Sequence, residues 1–447
     1  MKKSLFALAA ATALVGAAQA QSSVTVYGIL DMGYIGSNVR ENPAGGGAVT
    51  KVEKSAFGAS AEQTSRLGFK GTEDLGGGSS AFFTVELGLT PADGHLSGGT
   101  ASDSIQKTTN ASGTAVDNRQ SFVGLKKNGV GQFALGRQYT TVFNAAAATS
   151  VGQLNNVIGD AIYGGATGAW SAEAGGFAGG SGQSGQAFTN RADNTLSVQS
   201  ANFAGFTGSG FYALNNTNQN QTAVGNASTG GGNTNWNGWG LGADFTWQKL
   251  YVTAAYQSFK TLYSNGVTGA ATTVNLGSVG ATTGQATGVA TTLYAPSNIS
   301  DKQTFVGATY DFGILKAYAN WLGRKVQNDT ASSMVLNSFN STTAATVYAG
   351  QQVNRNAQQI GVRSYITPAI ESWASVGNGK YTGAIGSAGL PGTVSFTAYQ
   401  LGTNYYLSKR TNLYGIFGST TSTSSTGGTL GSGNSGNQYA VGVRHTF

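Results

Sequence analysis

The feature that most limits what this chain can fold into is the rhythm of its connections. From Val24 onward, runs of about ten residues alternate apolar with small or polar side chains, and that period of 2 marks β-strands. Sixteen such runs lie near 24–36, 64–74, 79–90, 117–127, 130–140, 189–201, 206–215, 237–247, 250–259, 302–312, 314–324, 357–366, 370–381, 395–407, 410–420 and 437–447. Seven of the gaps between them are tight: Leu75 to Gly78, Asn128-Gly129, Asn202 to Gly205, Gln248-Lys249, Gly313, Thr367 to Ala369 and Ser408-Lys409. Most carry the Gly, Asn, Pro or Ser that turn geometry demands. The other eight are long and rich in Gly, Ser, Thr and Asn: 37–63, 91–116, 141–188, 216–236, 260–301, 325–356, 382–394 and 421–436. Short and long gaps strictly alternate. In an antiparallel meander all odd connections lie at one end of the sheet, so one rim is trimmed and the other carries loops.

That layout belongs to a β-barrel crossing an outer membrane, with short periplasmic turns and long external loops. Strand length agrees, since a tilted strand crosses a bilayer in about 9–11 residues. An open sheet would leave unpaired edges in lipid, and an even strand count with both termini at the trimmed rim allows closure. Parity within the strands assigns the faces. Tyr439, Val441, Val443, His445 and Phe447 share one face, and Ala440, Gly442, Arg444 and Thr446 share the other. Leu67 and Phe69 oppose Arg66, Gly68 and Lys70, and Phe83, Val85, Leu87 and Leu89 oppose Thr84, Glu86 and Gly88. The charged member falls on the small, polar face each time. An Arg or Lys at mid-membrane on the lipid face would cost about 2–4 kcal/mol, so the apolar face is read as outward. A sixteen-stranded cylinder with a polar inner face is too wide for side chains to fill and leaves an aqueous channel.

Residues 1–20, MKKSLFALAAATALVGAAQA, read as a signal peptide: Lys2-Lys3, an apolar stretch from Leu5 to Ala17, and an Ala18-Gln19-Ala20 cleavage site. The expected mature domain is 21–447. Past residue 20 no stretch of 18 or more apolar residues occurs, so no transmembrane helix is expected. Composition narrows function by exclusion. There is no cysteine and only two histidines, His95 and His445, which argues against disulfides, thiolate metal sites and histidine-based catalysis. No cofactor and no metal site is expected. Gly76-Gly77-Gly78 is followed by neither a helix nor Lys-Ser/Thr, so it is no phosphate cradle. The net charge is +7; without Lys2 and Lys3, 23 basic residues face 18 acidic ones, leaving +5. No Lys/Arg run could track a nucleic-acid backbone, so nucleic acid is not an expected partner.

Several segments together closely resemble the Gram-negative general porins, in the branch typical of beta-proteobacteria. They are Gln21-Ser-Ser-Val-Thr-Val-Tyr-Gly28, Ser65-Arg-Leu-Gly-Phe-Lys-Gly-Thr-Glu-Asp-Leu-Gly-Gly77, Arg119-Gln-Ser-Phe-Val-Gly-Leu125, Leu135-Gly-Arg-Gln-Tyr139 and Val443-Arg-His-Thr-Phe447. The resemblance implies a sixteen-stranded outer-membrane barrel, a homotrimer, and passive diffusion of small hydrophilic solutes and ions. It also implies that the third long loop, 141–188, folds inward and narrows the channel. A substrate-specific channel for a sugar or an anion is the alternative reading; a barrel-based hydrolase and a secreted adhesin are weaker ones.

In that family, residues matching Arg66, Arg119 and Arg191 form a basic cluster on the wall at the constriction, and Lys70, four residues from Arg66 on the same face, is expected beside them. The family's loop acids stand opposite, often in a Pro-Glu-Phe-Gly-Gly motif. Here the loop has no proline and reads Asp160-Ala-Ile-Tyr-Gly-Gly165, with Asp160 and Glu173 as its acids; Asp160 is favoured to face the arginines. More bases than acids at the narrowest section predicts a weak anion preference. Arg137 stands in the outward register beside Phe133 and Leu135, so it is a candidate for a subunit interface, with Asp93 and Asp103 of the 91–116 loop as possible partners. Phe447 resembles the terminal signal read by the outer-membrane barrel assembly machinery. Outer-membrane lipid and lipopolysaccharide are the remaining expected partners.

Overall fold

The structure, a computed structural model, describes residues 23–42, 48–92, 96, 116–163, 188–219, 232–265, 297–328, 334–337, 344–347, 352–385, 390–426 and 429–447. The expected signal peptide, 1–20, lies outside the described residues. In chain order the elements are β1 (Ser23–Asn42), β2 (Thr50–Ala59), β3 (Arg66–Gly76), β4 (Ser79–Gly88), β5 (Asn118–Lys127), β6 (Gly131–Tyr139), α1 (Thr141–Thr149), β7 (Arg191–Ser200), β8 (Phe206–Gln219), β9 (Gly232–Trp247) and β10 (Leu250–Asn265). They continue with β11 (Ser297–Asp311), β12 (Lys316–Asn328), the small hairpin β13 (Met334–Asn337) and β14 (Ala344–Val347), β15 (Gln352–Thr367), β16 (Ile370–Ile385), β17 (Leu390–Tyr406), β18 (Thr411–Thr426) and β19 (Thr429–Thr446).

All strands but β13 and β14 form one 17-stranded sheet whose end strands are paired with each other. Each wall strand pairs antiparallel with the next, and β19 returns to β1 with Ile29 opposite Thr446. β2 and β3 lie end to end along the same edge of β1, on Met32–Glu41 and Ser23–Ile29 respectively. They therefore share one position, and the wall is a closed sixteen-stranded barrel. Between them, residues 60–65 bulge inward and are held by Asp31. Its Oδ2 accepts from the backbone N–H groups of Glu62 (2.8 Å) and Gln63 (2.6 Å), and its carbonyl accepts from Ser60 N.

The sixteen runs read from sequence each coincide with one wall strand. At the trimmed rim the boundaries agree closely, because the turns need backbone that few residues adopt: Gly129 has φ +73° and Gly313 φ +92°. At the loop rim the strands run further than expected. β1 reaches Asn42, β10 Asn265 and β18 Thr426, and β2 stands wholly within a stretch expected to be loop. Apolar alternation ends where lipid ends, but backbone pairing does not, so these extensions leave no period-2 signal.

Exposure separates the faces as parity predicted. Val441, Ile360 and Leu241 are each 61% exposed, while their neighbours Ala440, Gln359 and Gly240 are buried. Outward aromatics form two belts. Phe203, Phe206, Trp247, Tyr310, Tyr365 and Tyr405 lie toward the turns, and Tyr212, Trp239, Trp321, Tyr399, Phe417 and Tyr439 toward the loops, the pattern of the two membrane interfaces. The buried apolar cluster lies inside the barrel, where the third loop meets the wall.

Candidate functional site

After β6 the chain turns into the lumen. Thr140 caps α1: its backbone is extended (φ −79°, ψ 163°) and its Oγ1 accepts from Phe143 N at 3.3 Å. Four consecutive alanines, 145–148, then favour helix. Nine residues are too few to hold a helix unaided, and packing supplies the rest. Val142, Ala145 and Ala146 bury against Ala255, Phe305 and Leu322 of β10, β11 and β12.

The loop backbone that follows must satisfy its polar groups against the wall, away from bulk water. Five inward glutamines do this, each almost fully buried. Gln257 Oε1 accepts from Val142 N (3.2 Å), Gln303 Oε1 from Thr189 N (2.8 Å), Gln359 Oε1 from Ala161 N (2.6 Å) and Gln438 Oε1 from Ile158 N (2.9 Å). Gln400 Nε2 donates to the carbonyls of Val157 (2.5 Å) and Ile158 (2.9 Å). Asn156 ties the loop to the 60–65 bulge through Ser60 O (2.7 Å). A methyl group at Gly418 would overlap the Ile158 carbonyl, so this wall position needs glycine for the loop to approach.

The wall from β3 to β7 has different chemistry. Glu86 on β4 stands between two arginines: Arg119 Nε donates to its Oε1 at 2.7 Å, and Arg66 Nη1 lies 3.8 Å from the same oxygen. Tyr27 Oη donates to the other carboxylate oxygen at 3.1 Å. Arg119 Nη2 donates to Tyr139 Oη at 2.8 Å, and the Arg191 guanidinium lies 5.7 Å from the centroid of the Tyr139 ring. Phe143 of α1 stacks on that ring at 4.1 Å, which couples the cluster to the loop. Asp117, just before β5, lays its carboxylate over Gly88, the cross-strand partner of Arg66. Lys70 is nearer the turns, exposed, with its Nζ 5.3 Å from the Tyr27 ring centroid.

The structure thus brings Arg66, Arg119 and Arg191 onto one wall, with Lys70 beside them. Asp160 was expected to face them. Instead it is buried at the far side of the loop, where Oδ1 accepts from Ile162 N and Tyr163 N, both at 2.8 Å. Burial pushes its carboxyl above the ordinary carboxylate range, against those donors and the nearby Arg355 charge. Among the described residues, the acid between Arg66 and Arg119 is Glu86. Its inward parity was legible, but its position between Arg66 and Arg119 depends on registers across three strands. Glu173 lies outside the described residues, as do Asp93 and Asp103. Arg137 pairs within its own chain, with Asp193 on β7, and its Nε donates to Asn118 O at 2.8 Å. Phe447 extends the β1–β19 ladder by two bonds with Gly28, and its ring covers that glycine on the outside.

Elsewhere on the inner wall three arginines meet carboxylates. Arg324 clasps Asp301 through Nε (3.1 Å) and Nη2 (2.7 Å), Arg363 lies 3.4 Å from Glu371, and Arg444 lies 3.3 Å from Glu62. Arg355 is held between the Tyr381 and Phe396 rings (5.4 and 5.5 Å) and donates to Ala161 O at 2.7 Å, another loop anchor.

Comparison with known proteins gives one family. The sequence profile described as Gram-negative porin matches residues 7–426. Over 98 residues the chain is 47% identical to outer membrane porin protein 32 of Delftia acidovorans, covering 22% of this chain and 25% of that one. Over 143 residues it is 35% identical to an outer membrane porin protein of Bordetella pertussis, covering 31% and 34%. These alignments span a quarter to a third of the relatives' length. Among solved structures, an anion-selective porin from Comamonas acidovorans superposes with a TM-score of 0.57 at 22% identity, over 96% of this chain and all of the other.

Proposed function

The chain belongs to the Gram-negative porin family, as an outer-membrane β-barrel, and from that premise we propose that it is a general diffusion channel with a weak preference for anions. The observation that carries this reading is the imbalance of charge between the two inner walls. Among the described residues, Arg66, Lys70, Arg119 and Arg191 on the β3–β7 wall stand with Glu86 and Asp117, four bases to two acids. Across the barrel, Arg324, Arg363 and Arg444 each meet a carboxylate. Selectivity in a wet pore follows from cross-section and the field of lining charges, not from bonding to one solute. The loop fixes the cross-section and the arginine wall supplies the field. The resemblance of fold to an anion-selective porin supports the same sign.

The solutes are small hydrophilic molecules and ions, and the reading includes no catalysis. We further propose a homotrimer, with Arg137 on the face toward a neighbouring subunit, and Phe447 as the signal for the barrel assembly machinery. Planar-bilayer recording tests the main reading. A general porin gives conductance steps grouped in threes and nearly linear in salt, with a reversal potential on the anion side. Conductance that saturates and is blocked by one sugar or one anion would instead mark a substrate-specific channel.

A further inference from the structure

On the turn side of the arginine cluster, the inner wall carries two side chains that a water-filled channel does not call for. Phe82 on β4 and Phe122 on β5 point inward, and their rings meet edge to face with centroids 6.3 Å apart. The inward phenylalanines Phe211, Phe259, Phe305 and Phe396 are buried. Phe82 and Phe122 are only half-buried, so apolar ring surface stands open to the lumen. Apolar surface left open in a concave, polar setting is the mark of a ligand site. The sheet makes room for the rings: a methyl group at Gly124, opposite Phe82, would come within 2.6 Å of the Phe82 ring.

The strand registers surround these rings with charge and hydroxyl. Thr84 pairs with Lys70 on one side and Phe122 on the other. Two residues nearer the turn, Phe82 pairs with Thr72 and Gly124, and two further on Ser80 pairs with Asp74 and Lys126. Inward side chains from these three rows line a recess of about 380 Å³, with Phe82 between Lys70 and Lys126, and Thr72, Ser80 and Thr84 around it. Sites for small molecules run from about 300 to 1,000 Å³, so the recess suits a single-ring solute. Among the described residues neither lysine forms an ion pair. The acids of β3–β5 are engaged or face away. Glu86 is held by Arg119 and Tyr27, Asp74 Oδ1 accepts from Gly76 N at 2.9 Å in the adjoining turn, and Glu73 has the outward parity.

We propose that this recess is a weak binding subsite for single-ring aromatic carboxylates, met by the solute on the turn side of the arginine cluster. It rests on the reading of the β3–β7 wall as the lining of an open, anion-preferring pore, and adds a solute class to it. Phe82 and Phe122 offer a face and an edge to a third ring, and aromatic contacts add to apolar burial. The ammonium groups of Lys70 and Lys126 supply the charge for the carboxylate, and the hydroxyls donate to it. A lysine on its flexible stem reaches the acid group without fixing it in one geometry, so the solute is held briefly and released. A polar carboxylate meets the same charge but leaves the rings unused. An aromatic alcohol uses the rings but not the charge, so both bind less.

The test records single-channel current of the native protein in planar bilayers in potassium chloride, with benzoate, gluconate or benzyl alcohol added. Gluconate is the larger carboxylate, so obstruction by size alone would rank it first. The proposal expects benzoate to cause brief, partial interruptions at on the order of tens of millimolar, while chloride conductance stays linear in salt. Its half-effect concentration should lie roughly fivefold or more below those of gluconate and benzyl alcohol. Phe82→Ser/Phe122→Ser should bring benzoate to the level of gluconate, and Phe82→Tyr/Phe122→Tyr should keep most of the difference. Lys126→Gln should weaken the benzoate effect about threefold, with Lys126→Arg restoring it. In a native channel with chloride conductance and an anion-side potential, equal effects of benzoate and gluconate would overturn this proposal alone, without any variant. So would a benzoate effect undiminished in the serine variant. A native channel with no chloride conductance, or with a cation-side potential, would overturn the underlying reading as well.

Discussion

The two inner walls of this barrel are written in different residues, and the difference shows what each must do. The wall under the third loop, on β10–β12 and β15–β19, uses Gln, Ala, Phe and Gly. It meets backbone. Every loop N–H and C=O pressed against it needs a partner without water, and a glutamine offers both a donor and an acceptor on a neutral side chain. Arg324, Arg363 and Arg444 each meet a carboxylate there, and Arg355 is held instead between the Tyr381 and Phe396 rings. The β3–β7 wall uses Arg, Tyr and Glu. It is proposed to meet ions in water, where an excess of one sign is tolerated and shapes the field. One wall positions the loop; the other is proposed to set the selectivity that the loop's position makes effective.

The comparison breaks most sharply if the charged wall is stripped. Arg66→Ser, Arg119→Ser and Arg191→Ser together should lower anion-over-cation permeability about tenfold, as removal of a focusing field implies, with the barrel intact. Glu86→Gln acts in the opposite sense on selectivity and also costs stability. It leaves the buried Arg119 without its carboxylate, so a loss of about 3 kcal/mol is expected, measured by urea unfolding in micelles, together with a stronger anion preference in bilayers. On the loop wall, Gly418→Leu should drive the Ile158 segment from its seat. The expected result is a changed single-channel conductance with more frequent transitions, while the sign of selectivity stays the same. Gln400→Ala should do the same more mildly, leaving the Val157 and Ile158 carbonyls without their donor at a cost of about 1–3 kcal/mol. Lys70→Gln should have the smallest effect, a modest fall in conductance at low salt that vanishes at about 1 M, because this exposed charge is screened.

The same contrast explains what the sequence disclosed. The barrel was legible because lipid imposes period-2 alternation on every strand and turn geometry imposes Gly, Asn and Pro on one rim. The strand extensions at the other rim, and β2, carry no such signal, since backbone pairing in water tolerates Gly, Ser, Thr and Asn. In the site, Arg66, Arg119 and Arg191 were named through resemblance to a known family, with strand parity supporting the inward direction of Arg66. Glu86 was read as inward but not joined to them, because the registers across β3, β4 and β5 include an irregularity at Glu86/Leu87 that no local pattern encodes. The glutamines that hold the loop come from five strands spread between residues 257 and 438, with no common spacing. Asp160 looked like a pore acid from its place in the loop, but the loop turns it toward the wall and gives its carboxylate to two backbone donors.

The central claim is that the β3–β7 arginines set the sign of selectivity. Its most direct test is the zero-current potential across a bilayer under a potassium chloride gradient, recorded for the native protein and for the Arg66→Ser/Arg119→Ser/Arg191→Ser variant. The account predicts an anion-side potential for the native channel that moves to or past zero in the variant, with the grouped conductance steps preserved. A native channel already on the cation side, or a variant whose potential matches the native one, would contradict it.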